Sequence, residues 1–153
     1  MFRMSGPTPT CIRRAAAERG MSPAARIMGV DPGSRFTGWG IVESDGVESR
    51  YIASGCIVLP RGNAMAQRLK QIYEELGDVA RQLHVEEAAL ETVFLNKNIQ
   101  SALKLGQARG AALCALVMAG VNEPAEYSPR RVKQAVCGYG GAGKSQVAQM
   151  VAI

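Results

Sequence analysis

A compact apolar run over residues 26–30 ends at Asp31-Pro32-Gly33, and residues 37–42 and 51–59 resume the apolar, β-rich pattern after short polar breaks. Turn chemistry separates these runs. Pro-Gly closes the first, and Asp45-Gly46 between the second and third is a strong hairpin signal. The three runs are predicted to form an antiparallel meander. From residue 65 the period changes: Met65, Leu69, Ile72, Leu76, Val79 and Leu83 recur at steps of four and three, on one face of an amphipathic helix. Residues 88–94 form the next strand candidate, and Asn98 is placed to cap a long Ala- and Leu-rich helix over 99–118. Residues 124–127 offer a fifth strand, 130–136 a short helix, 138–143 a glycine loop and 144–153 the start of another helix. This order predicts an α/β fold, a mixed five-stranded sheet flanked by helices.

At 153 residues, 47% of them hydrophobic, the chain has the size and apolar content of one domain with one core. Residues 1–25 fall outside that unit. Pro7, Pro9, four arginines and no apolar period mark a disordered lead-in or a mis-annotated extension, with Met21 as a candidate start. Such an Arg-rich, acid-poor leader also weakly resembles an organelle transit peptide. No apolar run approaches the roughly 18 residues that a membrane span needs, so a soluble protein is expected. Cys11, Cys56, Cys114 and Cys137 are widely spaced and His84 is the only histidine. Neither a zinc site nor a disulfide framework is signalled, and the cysteines read as small buried or half-buried thiols in a reducing cytoplasm.

Charge changes the picture once it is divided along the chain. Residues 1–25 carry four Arg against one Glu, residues 26–94 seven basic against ten acidic groups, and residues 95–153 seven basic against two acidic. A basic last third suits a phosphate-rich partner, because neutralising phosphates releases counterions; on charge alone it equally describes a solvated face.

Two acids stand out against this background. Asp31 lies at the carboxyl end of an apolar strand and opens a tight Pro-Gly turn, and Glu91 lies within the apolar run Ala88-Ala89-Leu90-Glu91-Thr92-Val93-Phe94. Burying a carboxylate is costly unless it meets a cation, and a hard ion such as Mg²⁺ needs only one or two carboxylates when waters and phosphate complete its shell. If the two strands are neighbours, the acids form half of a two-metal phosphodiesterase centre. The plain alternatives are an Asp that only starts a turn and a solvated edge-strand Glu. Gly138-Tyr139-Gly140-Gly141-Ala142-Gly143-Lys144-Ser145 fits the nucleotide-binding pattern G-x-x-x-x-G-K-[ST]. That reading is rejected, because a helix rather than a strand precedes the loop and only eight residues follow Ser145. A glycine loop ending in Lys also suits a DNA backbone, held by amides and one ammonium.

Taken in order and spacing, several stretches resemble the RuvC family of crossover junction endodeoxyribonucleases, over roughly residues 26–151. They are Gly29-Val30-Asp31-Pro32-Gly33-Ser34 with Thr37-Gly38, Ser54-Gly55-Cys56-Ile57, Arg68-Leu69, and Leu90-Glu91-Thr92-Val93-Phe94. The most specific is Asn96-Lys97-Asn98 followed by Ser101-Ala102-Leu103-Lys104-Leu105-Gly106-Gln107-Ala108-Arg109-Gly110; Val132-Lys133-Gln134 and Lys144-Ser145-Gln146-Val147 complete the set. The resemblance implies an RNase H-like fold and a cytoplasmic homodimer that grips a four-way DNA junction and makes paired nicks with Mg²⁺ or Mn²⁺. It also implies service in recombination and repair alongside the RuvAB branch-migration complex. Asp31 and Glu91 match the first two catalytic, metal-holding carboxylates. Phe94 matches an aromatic that helps open bases at the crossover, and Lys133 and Lys144 match lysines that face DNA. Lys97, Lys104 and Arg109 are expected on the DNA-binding surface on the same ground.

The chain departs from the family pattern at its end. The family supplies further acids from a last helix beside the first strands, whereas no Asp or Glu follows Glu126, and Glu123 and Glu126 stand at the wrong motif position to substitute. The expectation is therefore a domain over 26–153 that is incomplete at its C-terminus, with the final helix missing, marginal stability and two of the carboxylates. Two functions stay open, an active junction endonuclease and an inert fragment that only binds junction DNA. A third, the phosphate turn of actin-like and sugar-kinase ATPases, which Asp-x-Gly with Thr-Gly also resembles, needs a duplicated half that 153 residues cannot hold.

Overall fold

The computed structural model describes residues 23–92 and 98–151. Three antiparallel strands open the fold, β1 (Ala25–Asp31), β2 (Phe36–Ser44) and β3 (Ser49–Val58). The β2–β3 hairpin turns where Asp45-Gly46 predicts: the Asp45 carboxylate accepts hydrogen bonds from the Val47 and Glu48 amides, both at 2.8 Å, and Gly46 takes a φ of +91°. Helix α1 (Met65–Gln82) leads to β4 (Glu87–Glu91), which enters the sheet on the far side of β1 and parallel to it. Helix α2 (Ile99–Met118) starts at Asn98, whose side chain accepts from the Ser101 amide at 3.2 Å, the cap expected from the sequence. A three-residue strand, β5 (Ala125–Tyr127), pairs parallel to β4, and α3 (Pro129–Cys137) and α4 (Lys144–Val151) follow. The sheet order is β3-β2-β1-β4-β5. The fold class expected from the sequence, a mixed five-stranded sheet with helices, is the one observed.

The core lies on one face of this sheet. Met28, Val30, Ile41, Ile57, Ala88 and Leu90 point at Ile72, Leu76 and Ala80 of α1 and at Ala108, Ala112, Ala115 and Leu116 of α2, all buried. The periodic apolar face of α1 is the packed one, with Leu69 and Val79 at its margins. Small residues let the two helices approach: a Cβ on Gly77 would stand 3.7 Å from the Ala115 carbonyl oxygen. Trp39 lies on the same face across Gly55, where a Cβ would come within 2.6 Å of the indole. Alternation sends Gly29, Asp31, Gly38, Gly40, Ala89 and Glu91 to the opposite face. Among the described residues no helix packs over the middle of that face.

The cysteines correct one expectation. Cys56 and Cys114 are exposed and Cys137 is half-buried. Cys56 points to the uncovered face, opposite Gly38, and Cys114 lies on the outward side of α2, so burial did not follow from the low polarity of the thiol. Phe94 and Lys97 of the sequence reading, with Cys11, lie outside the described residues.

Candidate active site

Strand polarity brings the two acids together. Because β1 and β4 run parallel and Val30 pairs with Leu90, the next residues, Asp31 and Glu91, end neighbouring strands side by side. They line a cleft of about 410 Å³ with Gly29, Gly38, Gly40 and Tyr127. The separate strand-end acids of the sequence thus share one site.

The turn beyond Asp31 is held from within. Thr37 is fully buried, and its hydroxyl donates to the Gly33 carbonyl at 3.2 Å and accepts from the Gly33 amide at 3.4 Å. Gly33 is required here, since a Cβ would fall 2.2 Å from the Phe36 carbonyl oxygen. Arg68 of α1 ties the turn to the next loop by donating to the carbonyls of Ser34, Asn63 and Arg61. Glu91 is fixed on its other side, where the Thr92 amide donates to the Tyr127 carbonyl at 2.8 Å.

The proximity has an electrostatic consequence. Partial burial, and then the neighbouring Asp31 carboxylate, push the Glu91 carboxyl above its usual range, while the Lys133 ammonium pulls it down. Two oxygen donors that repel one another, at the open end of a cleft, suit a hard divalent cation that keeps waters and takes a phosphate oxygen. Asp31 and Glu91 are the residues that would hold it. Among the described residues no group of three or more His, Cys, Asp or Glu side chains is placed to ligate a metal.

The remaining basic candidates divide. Lys133, half-buried on α3, does not line the cleft but is near enough for its charge to lower the Glu91 carboxyl. Lys104 and Lys144 are exposed and do not line the cleft. Arg109 is engaged internally: its Nη2 pairs with Glu126 of β5, and its Nε is buried without a hydrogen-bond partner among the described residues. The geometry gives Arg109 the task of tying α2 to the edge strand. In the glycine loop, the Gly143 amide and the Tyr139 hydroxyl both donate to Gln146 Oε1, at 2.9 and 2.7 Å, so Gln146 takes an amide that a phosphate would need. Tyr127 and Val132 line the cleft although the sequence reading did not select them. Tyr127 is the register partner of Glu91, and only the β4–β5 pairing reveals it.

A mixed five-stranded sheet with helices and paired acids at the ends of neighbouring strands is an RNase H-like fold, the class to which carboxylate-bearing nucleases belong. The model of the family described as crossover junction endodeoxyribonuclease RuvC matches residues 27–153. This chain belongs to that family. It is 52% identical over 126 residues to the crossover junction endodeoxyribonuclease RuvC of Alkalilimnicola ehrlichii, covering 82% of this chain and 75% of that protein. A Bordetella avium relative of the same name is also 52% identical, with 69% of its length covered. Among solved structures, Thermus thermophilus RuvC is similar at 32% identity and a TM-score of 0.72, over 82% of this chain and 77% of that one. The same protein in complex with a Holliday junction substrate gives a TM-score of 0.76. The yeast mitochondrial Holliday junction resolvase Ydc2, 11% identical at a TM-score of 0.59, shares the fold.

Proposed function

We propose that this chain is a structure-selective endonuclease that resolves four-way DNA junctions by paired, metal-dependent nicks, serving recombination and repair. One observation carries the reading: Asp31 and Glu91 end adjacent parallel strands in one open cleft, in a chain of the RuvC family. In this reading Asp31 and Glu91 hold Mg²⁺, for which Mn²⁺ can substitute; the cation, when bound, supplies Lewis-acid activation of water and charge stabilisation at phosphorus. Lys133 adds a positive charge for the phosphate beside Glu91, and Thr37 and Arg68 keep the Asp31 turn in place. Phe94, Lys97, Lys104 and Lys144 belong to the proposed DNA-binding set, as the family resemblance assigns them.

A homodimer fits a two-fold junction, because two identical sites then meet two opposed strands. The outward side of α2 supports this part of the proposal. Ile99, Leu103, Gly110, Cys114 and Val117 recur there at helical spacing, with Ile99 75% and Leu103 59% exposed. Residues 26–153 form the working unit, acting in the cytoplasm with the RuvAB branch-migration complex as the resemblance suggests. No described helix is long and apolar enough to cross a membrane. A second reading, junction binding without cleavage, is favoured by the presence of only two clustered acids among the described residues.

The test is incubation of the purified chain with a labelled synthetic four-way junction and Mg²⁺ or Mn²⁺, beside Asp31→Asn and a linear duplex. Symmetric nicking of the junction alone, lost in Asp31→Asn, is expected. Binding without nicking would establish the second reading, and no preference for the junction over the duplex would overturn both.

A further inference from the structure

Next to the carboxylate cleft lies a second pocket that shares Tyr127 and Val132 with it and carries a cation, Arg131, that none of the roles above uses. Tyr127 stands one strand width from Glu91, about 4.8 Å, on the side away from Asp31. Its position is locked, by the Thr92 amide on its carbonyl and by the Arg109–Glu126 pair one residue earlier. Over its ring lies the Arg131 guanidinium, with Cζ 5.2 Å from the ring centroid. Such stacking restrains a long side chain without using its five N–H donors.

Arg131 otherwise sits unfavourably. It belongs to the first turn of α3, where the helix dipole disfavours a cation, and that turn carries no acid. Among the described residues no carboxylate pairs with it, as with Arg35, Arg61, Arg68 and Arg130 and unlike Arg26, Arg50, Arg81 and Arg109. Arg131 is exposed, and Val132, next to it, lines the carboxylate cleft. An oriented guanidinium beside the site, with no carboxylate partner among the described residues, is complementary to an anion that arrives with the substrate.

We propose that Arg131, steered by the ring of Tyr127, binds the DNA phosphodiester next to the one that Asp31 and Glu91 face. Arg131 is then a positioning residue: it sets where the backbone lies, and Tyr127 sets where Arg131 points. The proposal rests on the endonuclease reading and deepens it.

The test measures junction binding in EDTA by fluorescence anisotropy over a range of salt, which separates affinity from turnover. Arg131→Ala is expected to lower the magnitude of the salt slope by about one and weaken binding roughly 5- to 10-fold at 0.1 M salt. Arg131→Lys retains the slope. Tyr127→Phe, which keeps the ring, matches wild type, whereas Tyr127→Leu keeps the slope and loses affinity. In the Tyr127→Leu background Arg131→Ala has a smaller effect than in wild type. Lys70→Ala, on the exposed side of α1 and paired with Glu74, is the control for general charge loss. An unchanged slope in Arg131→Ala, or one altered equally by Lys70→Ala, overturns the assignment while leaving the endonuclease reading intact. Absence of junction binding by the wild-type chain would overturn both.

Discussion

Removing the charge of Glu91 is expected to stabilise the metal-free protein while destroying its site. In Glu91→Gln the shape of the side chain is kept and its repulsion with Asp31 is removed. Side chains in register on neighbouring strands stand about 5 Å apart, so two carboxylates repel by about 1 kcal/mol at a water-like dielectric and about 3 kcal/mol at an effective value of 20. Asp31 is exposed, which places the repulsion near the lower figure. Lys133 opposes it, but the net displacement of the Glu91 carboxyl is upward, so burial and repulsion outweigh that attraction. A gain of about 1 kcal/mol corresponds to a melting temperature raised by about 4 °C in a domain of this size. The dependence on pH follows from the direction of the shift. A carboxyl whose folded-state pKa is raised favours folding while protonated, and that contribution is lost as pH rises through the raised value. Wild type and Glu91→Gln therefore melt together near about pH 4, where the acid is largely protonated in both states, and separate towards neutrality. The assay is a thermal melt at several pH values in EDTA, repeated with millimolar Mg²⁺. The cation is expected to raise the wild-type midpoint and leave the variant unchanged. A variant that melts at or below wild type at pH 7.5 in EDTA would refute the reasoning, because the acids would then not be in uncompensated repulsion.

Three further substitutions test the frame around the site. Gly33→Ala forces a Cβ against the Phe36 carbonyl, and a loss of about 2 to 3 kcal/mol in urea titration is expected, with nicking lost more completely than junction binding. Arg109→Ala should cost about 1 to 2 kcal/mol by freeing β5 from α2, with Glu126→Gln costing less; junction binding reduced at unchanged stability would instead make Arg109 a DNA contact. Leu103→Glu on the outward side of α2 should leave the circular-dichroism spectrum unchanged and produce a monomer in sedimentation, and a persistent dimer would place the interface elsewhere.

Local signals made most of the elements legible. The 3.6-residue period of Met65 to Leu83, the Asn98 cap and the Asp45-Gly46 turn each act through neighbours in sequence, so each is written where it operates. The unforeseen features depend on partners far along the chain. Arg109 has a basic side chain in a basic segment, and nothing local announces that Glu126 will meet it. Cys56 occupies a strand whose alternation is weak, so its facing is settled only by the register against Gly38. Tyr127 enters the site because a three-residue strand pairs with β4, and so short a strand carries almost no periodic signal.

The sheet face over which none of the described helices packs centrally gives a reason for the glycines that the fold alone does not. Glycine in a strand sacrifices conformational entropy and side-chain packing, so Gly29, Gly38 and Gly40 in adjoining strands weaken the sheet where it is most central. Internal crowding does not demand them. A Cβ at Gly38 would meet nothing within 4 Å, and at Gly29 and Gly40 only ordinary contacts at 3.9 and 3.8 Å. Gly33 and Gly55, by contrast, are each blocked by a neighbour within 3 Å. Two kinds of glycine are therefore present, one kept for the chain's own turn and indole, the other leaving bare backbone around Asp31. Bare backbone beside two carboxylates admits a bulky phosphodiester to the acids, where side chains on those strands would hold it off.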